Sequence, residues 1–152
     1  MTTERPRVLI ADDHRLIAEL IQKLLEAECD VVGIVGDGRA LVRTATELKP
    51  DLIVLDVAMP VLDGLAAASE VKALLPAVKL IFVTMTVDEM VAAEAFRRGA
   101  SAYLPKTCAP SELLAAVGKV WRGGSYLSPF LSEDRVNYLR GSQEELLPQI
   151  DA

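Results

Sequence analysis

Imidazole and thiol chemistry have little to draw on in this sequence, which holds one histidine, His14, and two cysteines, Cys29 and Cys108, among 152 residues. The cysteines stand in no CxxC or other metal-like spacing, and a single histidine cannot complete a zinc site with them. They read as reduced packing thiols of a cytosolic protein. Basic charge is short as well: 16 Lys and Arg stand against 22 Asp and Glu, for a net charge of -6 and a pI near 4.8. Counterion release on a phosphate backbone has no basic surface to work with, so direct nucleic-acid binding by this chain is not expected. Long hydrophobic runs are missing. The opening "MTTERPRVLIADD" has charges, a brief apolar run and two acids, too short for a signal peptide core or a membrane span. A cytoplasmic location without membrane attachment is the expectation. A glycine-rich phosphate loop is lacking too: "GIVGDGRA" at 33–40 has three glycines without GxGxxG spacing and away from the first strand, and no GK[ST] loop exists. A flavin or nucleotide module is ranked low.

What is present is a regular alternation. With 51% hydrophobic and 25% charged residues the chain suits one soluble domain. Strands are predicted at "RVLIADD" (7–13), "CDVVGIVGD" (29–37), "DLIVLD" (51–56), "VKLIFVT" (78–84) and "SAYLPK" (101–106). Segments of helical period lie between and after them, beginning with "HRLIAELIQKLLEA", in which Leu16, Leu20, Ile21, Leu24 and Leu25 fall on one stripe. Gly99, after Arg97 and Arg98, is a helix stop. Strands apolar on both faces, each followed by a helix, imply a doubly wound α/β domain of five βα units with a parallel sheet. It ends near Gly123-Gly124. In "SYLSPFLSEDRVNYLRG" one more helix is predicted, with Ser128 as N-cap, Pro129 at the first position and Gly141 as the stop. The acidic "SQEELLPQIDA" reads as a linker.

Ligand sites of open α/β sheets form at the carboxyl ends of the strands. Asp12 and Asp13 end the first strand, Asp56 the third, Thr84 the fourth and Lys106 the fifth. If the strand order is 2-1-3-4-5, strands 1 and 3 adjoin at roughly 4.8 Å and bring three carboxylates together. Lys106 starts about 10 Å from Asp56 at the backbone, a gap the two side chains can largely close. Carboxylates this close repel by about 4 kcal/mol per contact at an effective dielectric of 20, so a cation must offset them. A hard ion such as Mg²⁺ fits, bound by one or two carboxylates, waters and phosphate oxygens. A carboxylate, a metal, an ammonium and a hydroxyl together equip a site to accept a phosphoryl group. Singly, each acid is an Asx turn or a helix N-cap, Lys106 a solvated lysine and Thr84 a strand-end hydroxyl. Their joint placement at four strand ends outweighs that reading.

Carried by "IADDH", "LIVLDVAMPVLDG", "FVTM" and "GASAYLPK" in this order and spacing, the chain resembles bacterial response-regulator receiver domains over residues 5–125. The resemblance implies a flavodoxin-like (βα)5 fold with strand order 2-1-3-4-5. It implies Asp56 as phosphoacceptor, and Mg²⁺ held by Asp12, Asp13 (more directly), Asp56 and the backbone carbonyl of Ala58. Thr84 would hydrogen-bond the phosphoryl oxygen, Lys106 would pair with it, and Tyr103 would turn inward when Thr84 moves. "DDH" at 12–14 and "GGSYLSP" at 123–129 resemble the NarL/FixJ (LuxR-type) branch. That branch implies a sensor histidine kinase as partner, homodimerisation on phosphorylation, and DNA contact only through a C-terminal helix-turn-helix domain. Such a domain promotes its own phosphorylation and hydrolysis and is not a turnover enzyme.

Several residues are open to two readings. His14, at the start of the first helix, is a phosphate carrier or ligand, or, as preferred, a capping or supporting residue. Tyr103 is the switch aromatic or a half-buried edge residue, and Trp121 is packing or an exposed contact. Many receivers have proline after the lysine in a cis bond; here Pro105 precedes Lys106 and Thr107 follows, so a trans bond is predicted. Pro105 is tolerable if strand 5 is an edge. Residues 126–152 are assigned to the extra helix and linker, with the DNA-binding domain absent from this chain. Cutting inside the linker is favoured over a stand-alone receiver acting by protein contact. An aspartyl-phosphate phosphatase of dehalogenase type ranks low, because its second acid, two residues past the nucleophile, is here Ala58.

Overall fold

The apolar runs become strands slightly shorter than the runs themselves in the computed structural model, which describes residues 5–141. They are β1 (Arg7–Ala11), β2 (Asp30–Val35), β3 (Leu52–Leu55), β4 (Lys79–Thr84) and β5 (Ala102–Pro105). Between and after them run α1 (Arg15–Leu25), α2 (Gly38–Leu48), α3 (Gly64–Leu74), α4 (Glu89–Arg97) and α5 (Ala109–Trp121). All strand pairs are parallel, and the sheet order is β2-β1-β3-β4-β5 with a sixth strand, β6 (Tyr126–Leu127), beyond β5. This is the doubly wound parallel sheet with the flavodoxin-like order expected from the sequence, extended by one short strand.

Two cores follow from the period-2 alternation of the strands. Val8, Ile10, Leu52, Val54, Ile81, Val83 and Leu104 pack under α1 and α5. Leu9, Ala11, Ile53, Leu55, Phe82 and Tyr103 face α2, α3 and α4. Cys29 and Cys108 are free and buried. Burial pushes the Cys29 thiol up to about 11, as an inert packing thiol requires. Gly99 takes φ +107 just past α4, a conformation that side chains with a Cβ resist. All described peptide bonds are trans, Lys106–Thr107 included.

Four expectations need correction. Strand β5 is not an edge: Gly123, at φ +94, turns the chain so that Tyr126 and Leu127 pair with Ala102 and Tyr103. Pro105 is accommodated because it lies past the two residues that β6 covers. The apolar stripe of α1 is rotated: Ala18, Ile21 and Leu25 are buried, whereas Leu16 and Leu20 are 81% and 44% exposed. The extra helix does not begin at Ser128 and Pro129. Ser128 instead starts a turn, accepting from the Leu131 amide through its carbonyl and from the Phe130 amide through its hydroxyl. Helix α6 occupies 133–141 with Ser132 as its cap, its Oγ accepting from the Arg135 amide. Gly141 is still helical and therefore no stop within the described residues, and the linker reading of 142–152 lies outside them. Finally, Tyr103 is fully buried rather than half-buried at an edge.

Helix α6 docks on the α4 side. Leu131 and Val136 join the core that contains Phe82 and Tyr103, and Arg140 stacks over Phe96 at 5.5 Å. Glu89 Oε2 accepts from the Ser132 amide at 2.9 Å. A second tie lies on the α5 side, where Glu112 accepts from the Tyr126 hydroxyl at 2.9 Å and the Ser128 hydroxyl at 3.3 Å. No helix among the described residues is long and apolar enough to cross a membrane.

Candidate functional site at the carboxyl edge of the sheet

Strand register sets the site. Ala11, Leu55, Phe82 and Tyr103 form one row across β1, β3, β4 and β5, so the next residues of β1 and β3, Asp12 and Asp56, emerge side by side. Backbone bonds continue past the strands: the Asp56 amide donates to the Ala11 carbonyl at 3.1 Å, and the Asp12 amide to the Val35 carbonyl at 3.0 Å. Thr84 pairs with Pro105 in the final row, and Lys106 follows in a single 3-10 turn, Lys106–Cys108. Asp12, Asp56, Thr84 and Lys106 are all buried.

The ammonium of Lys106 lies between the two acids, 2.7 Å from Asp56 Oδ2 and 2.8 Å from Asp12 Oδ2. Its long stem closes the gap left by the backbone, while its head is the positive charge the carboxylates need. Burial alone would pull the Lys106 pKa down, but the two carboxylate contacts outweigh it and the net shift is upward. The contact with Asp12 is a buried ion pair, both side chains being almost fully out of solvent. Asp12 Oδ1 accepts from the His14 amide at 2.8 Å.

Asp13 is more exposed and stands at the mouth. Asp12, Asp13, Asp56 and His14 each offer one ligand atom, all within 4.8 Å of one another. Three of these are hard carboxylate oxygens, so the chemistry of the donor set fits a divalent cation. The Ala58 amide donates to Asp56 Oδ1 at 3.3 Å, which folds the loop after β3 back over the acid. Gly64 is needed for that path: its amide donates to the Val57 carbonyl at 2.7 Å, and Asp63 caps α3 through the Ala66 amide. Val61, at φ +71 in the same loop, holds a strained conformation for a β-branched residue.

Thr84 Oγ1 accepts from the Thr86 amide at 3.4 Å, and the Tyr103 hydroxyl donates to the Thr86 carbonyl at 2.7 Å. Thr84 and Tyr103 are therefore joined through one residue of the β4–α4 loop. Thr86 was not singled out by the sequence, and its position two past Thr84 was the available signal. His14 takes the N-cap position of α1 but makes no side-chain cap bond. Its imidazole faces the cluster, with Nδ1 3.3 Å from Asp12 Oδ1 and 3.2 Å from Lys106 Nζ. The capping reading of its side chain is thus replaced by one beside the acids. Trp121 is 39% exposed at the opposite end of the domain, lining a cavity of about 400 Å³ with Leu74 and Pro76.

Comparison with known proteins agrees with this fold. The profile of the response regulator receiver domain matches residues 8–118. The transcriptional regulatory protein LnrK of Bacillus subtilis is 33% identical over 133 residues, covering 86% of this chain and 60% of that protein. The response regulator protein VraR of Staphylococcus aureus is 34% identical over 125 residues, covering 81% and 60%. The chain thus spans about 60% of the length of these curated relatives. Among solved structures, a LuxR-family two-component response regulator from Aurantimonas sp. SI85-9A1 superposes with a TM-score of 0.80 at 26% identity, covering 93% of this chain and 99% of that one. The receiver domain of the putative response regulator NarL from Mycobacterium tuberculosis gives 0.74 at 29% identity, covering 79% and 98%. The chain belongs to the response regulator receiver domain family, and its relatives are response regulators of the NarL and LuxR type.

Proposed function

We propose that Asp56 accepts a phosphoryl group from a sensor histidine kinase, with Mg²⁺ held by Asp12, Asp13, Asp56 and the Ala58 carbonyl. The observation that carries this reading is the buried triad in which Lys106 Nζ sits within 2.8 Å of both Asp56 and Asp12 at the carboxyl edge of a parallel sheet. Asp56 supplies the attacking oxygen: its bond to phosphorus forms as the bond from phosphorus to the donor nitrogen breaks, and the electron pair returns to the donor imidazole. Lys106 neutralises charge on the transferring group, and the Thr84 hydroxyl is free to turn from the Thr86 amide and donate to a phosphoryl oxygen. When bound, Mg²⁺ supplies further charge neutralisation to phosphoryl oxygens. The product adds a charge of about -2 at neutral pH.

That charge reaches the rest of the fold through Thr84, Thr86 and Tyr103. Residues 5–125 act as the receiver, followed by β6, α6 and the linker, and the output passes through the α4, β5 and α5 face that β6 and α6 cover. Homodimerisation follows phosphorylation, and DNA contact comes only through a helix-turn-helix domain. The domain works in the cytoplasm as a signalling phosphoacceptor, not as a turnover enzyme. A related receiver, RcsB of Salmonella enterica, has been solved with the phosphomimetic BeF3⁻, which supports the assignment by likeness.

The test is incubation with acetyl phosphate, with and without Mg²⁺, followed by intact mass analysis. One Mg²⁺-dependent, base-labile phosphoryl adduct is expected on the wild type and none on Asp56→Asn. An undiminished adduct on Asp56→Asn, or none on the wild type, overturns the proposal.

A further inference from the structure

We propose that His14 is a nitrogen ligand of the cation held by the acidic cluster, so that the site takes later first-row divalent ions such as Co²⁺ more strongly, relative to Mg²⁺, than carboxylates alone would. This rests on the reading that Asp12, Asp13 and Asp56 hold a divalent cation.

Three observations point the imidazole at a metal. First, Lys106 Nζ lies 3.2 Å from His14 Nδ1, and an ammonium group can only donate. In the tautomer with the ring proton on Nε2, Nδ1 accepts from that ammonium and turns its lone pair toward the acids. The same Nζ lies 2.7 Å from Asp56 Oδ2 and 2.8 Å from Asp12 Oδ2, so one nitrogen and two oxygens already converge on a single positive centre.

Second, this acceptor nitrogen stands 3.3 Å from Asp12 Oδ1 and 3.5 Å from Asp13 Oδ1. In that tautomer its lone pair faces theirs, an arrangement that a cation among them relieves. Asp12 is itself only 4% exposed, with its Oδ2 held by Lys106 Nζ at 2.8 Å, so its Oδ1 is the oxygen that faces His14. Third, the imidazole makes no side-chain cap bond to α1, and its side chain is 60% exposed. Its other nitrogen can stay hydrated while Nδ1 ligates.

The chemistry then decides the metal. Carboxylates and water suit Mg²⁺, whereas imidazole suits the later transition ions, whose affinity for nitrogen donors rises along the series. A nitrogen added to three carboxylates raises Co²⁺ affinity while contributing little to Mg²⁺. The predicted site is thus one of mixed oxygen and nitrogen donors.

The experiment is calorimetric titration of Co²⁺ and of Mg²⁺ into the wild type, His14→Phe and Asp13→Asn, with pulsed electron paramagnetic resonance on the Mn²⁺-loaded proteins. His14→Phe is expected to weaken Co²⁺ by about tenfold or more with Mg²⁺ nearly unchanged. Nitrogen hyperfine coupling is expected on Mn²⁺ in the wild type and absent in His14→Phe. An unchanged ratio of Co²⁺ to Mg²⁺ affinity in His14→Phe, or no nitrogen coupling in the wild type, overturns the role of His14. If Asp13→Asn alone weakens both metals, the acidic site stands without His14; if the wild type binds neither metal, the underlying reading fails as well. His14→Gln, which keeps polarity and removes the ring, serves should the Phe variant not fold.

Discussion

Gly64 lies so close to Asp56 that a Cβ built on it would stand 1.9 Å from the Asp56 carbonyl oxygen and 2.9 Å from Val57 Cα. Both neighbours are backbone and cannot swing aside. The glycine that opens α3 is therefore part of the support for the acid, holding the β3–α3 loop tight against the strand end.

Gly64→Ala should accordingly be harmful out of proportion to one methyl group. Forcing backbone apart is an overpacking defect of about 1–3 kcal/mol, read as a lower urea midpoint with unchanged slope. Phosphoryl acceptance from acetyl phosphate should fall further than stability does, because the shift begins at Asp56 itself. Wild-type acceptance in Gly64→Ala would contradict the account.

Lys106→Met removes the buried ammonium from between Asp12 and Asp56. Breaking a buried pair from one side costs about 3–5 kcal/mol, since the remaining charge is left uncompensated. Added Mg²⁺ should recover stability in Lys106→Met more than in the wild type, because ion binding to the folded state then replaces the missing charge. Equal Mg²⁺ effects on the two proteins would count against a shared site for ammonium and metal.

Tyr126 titrates late. Burial first, then the hydrogen bond to Glu112 and its charge, push the phenol up to about 12. The folded state thus holds this proton more tightly than the unfolded chain, whose tyrosine titrates near 10. The linked stability is complete below about pH 10 and is lost as pH rises through about 12. Phenolate absorbance of the wild type minus Tyr126→Phe should show this late midpoint, and Glu112→Gln should move it down. A midpoint unmoved by Glu112→Gln would remove Glu112 as a cause.

Tyr103→Phe deletes the hydroxyl that donates to the Thr86 carbonyl at 2.7 Å. The expected stability loss is about 1 kcal/mol. Amide exchange should quicken over 84–88, the loop that carries Thr86, and stay unchanged in β1 and β3. Unaltered exchange in that loop would break the link from Thr84 to Tyr103.

Much of the architecture was legible because it rests on local periodicity. Runs apolar on both faces mark strands of a covered parallel sheet, and the acids at their ends mark the edge where ligands bind. The rotation of α1 was not legible. The stripe of leucines is broad and has Ala18 at its margin, and only contact with the sheet chooses Ala18, Ile21 and Leu25 over Leu16 and Leu20. The extra helix was misplaced for a related reason: Pro129 suits a first helical position, yet Ser128 is spent on a turn and on Glu112, leaving Ser132 to cap α6. Strand β6 is two residues long, too short for any pattern, and exists because β5 offers it an edge.

The sequence by itself determined which groups stand at the strand ends: Asp12, Asp13, Asp56, Thr84 and Lys106. Their order along the chain, set between apolar runs, needs no coordinates to be read. Tertiary structure alone decided that Lys106 bridges Asp12 and Asp56, that Tyr103 reaches Thr86, and that His14 turns its inner nitrogen toward the acids. The physical reason is range. Hydrophobic period fixes which face of an element is buried, whereas the meeting of side chains from distant segments depends on strand register and helix rotation, which only the packed whole sets.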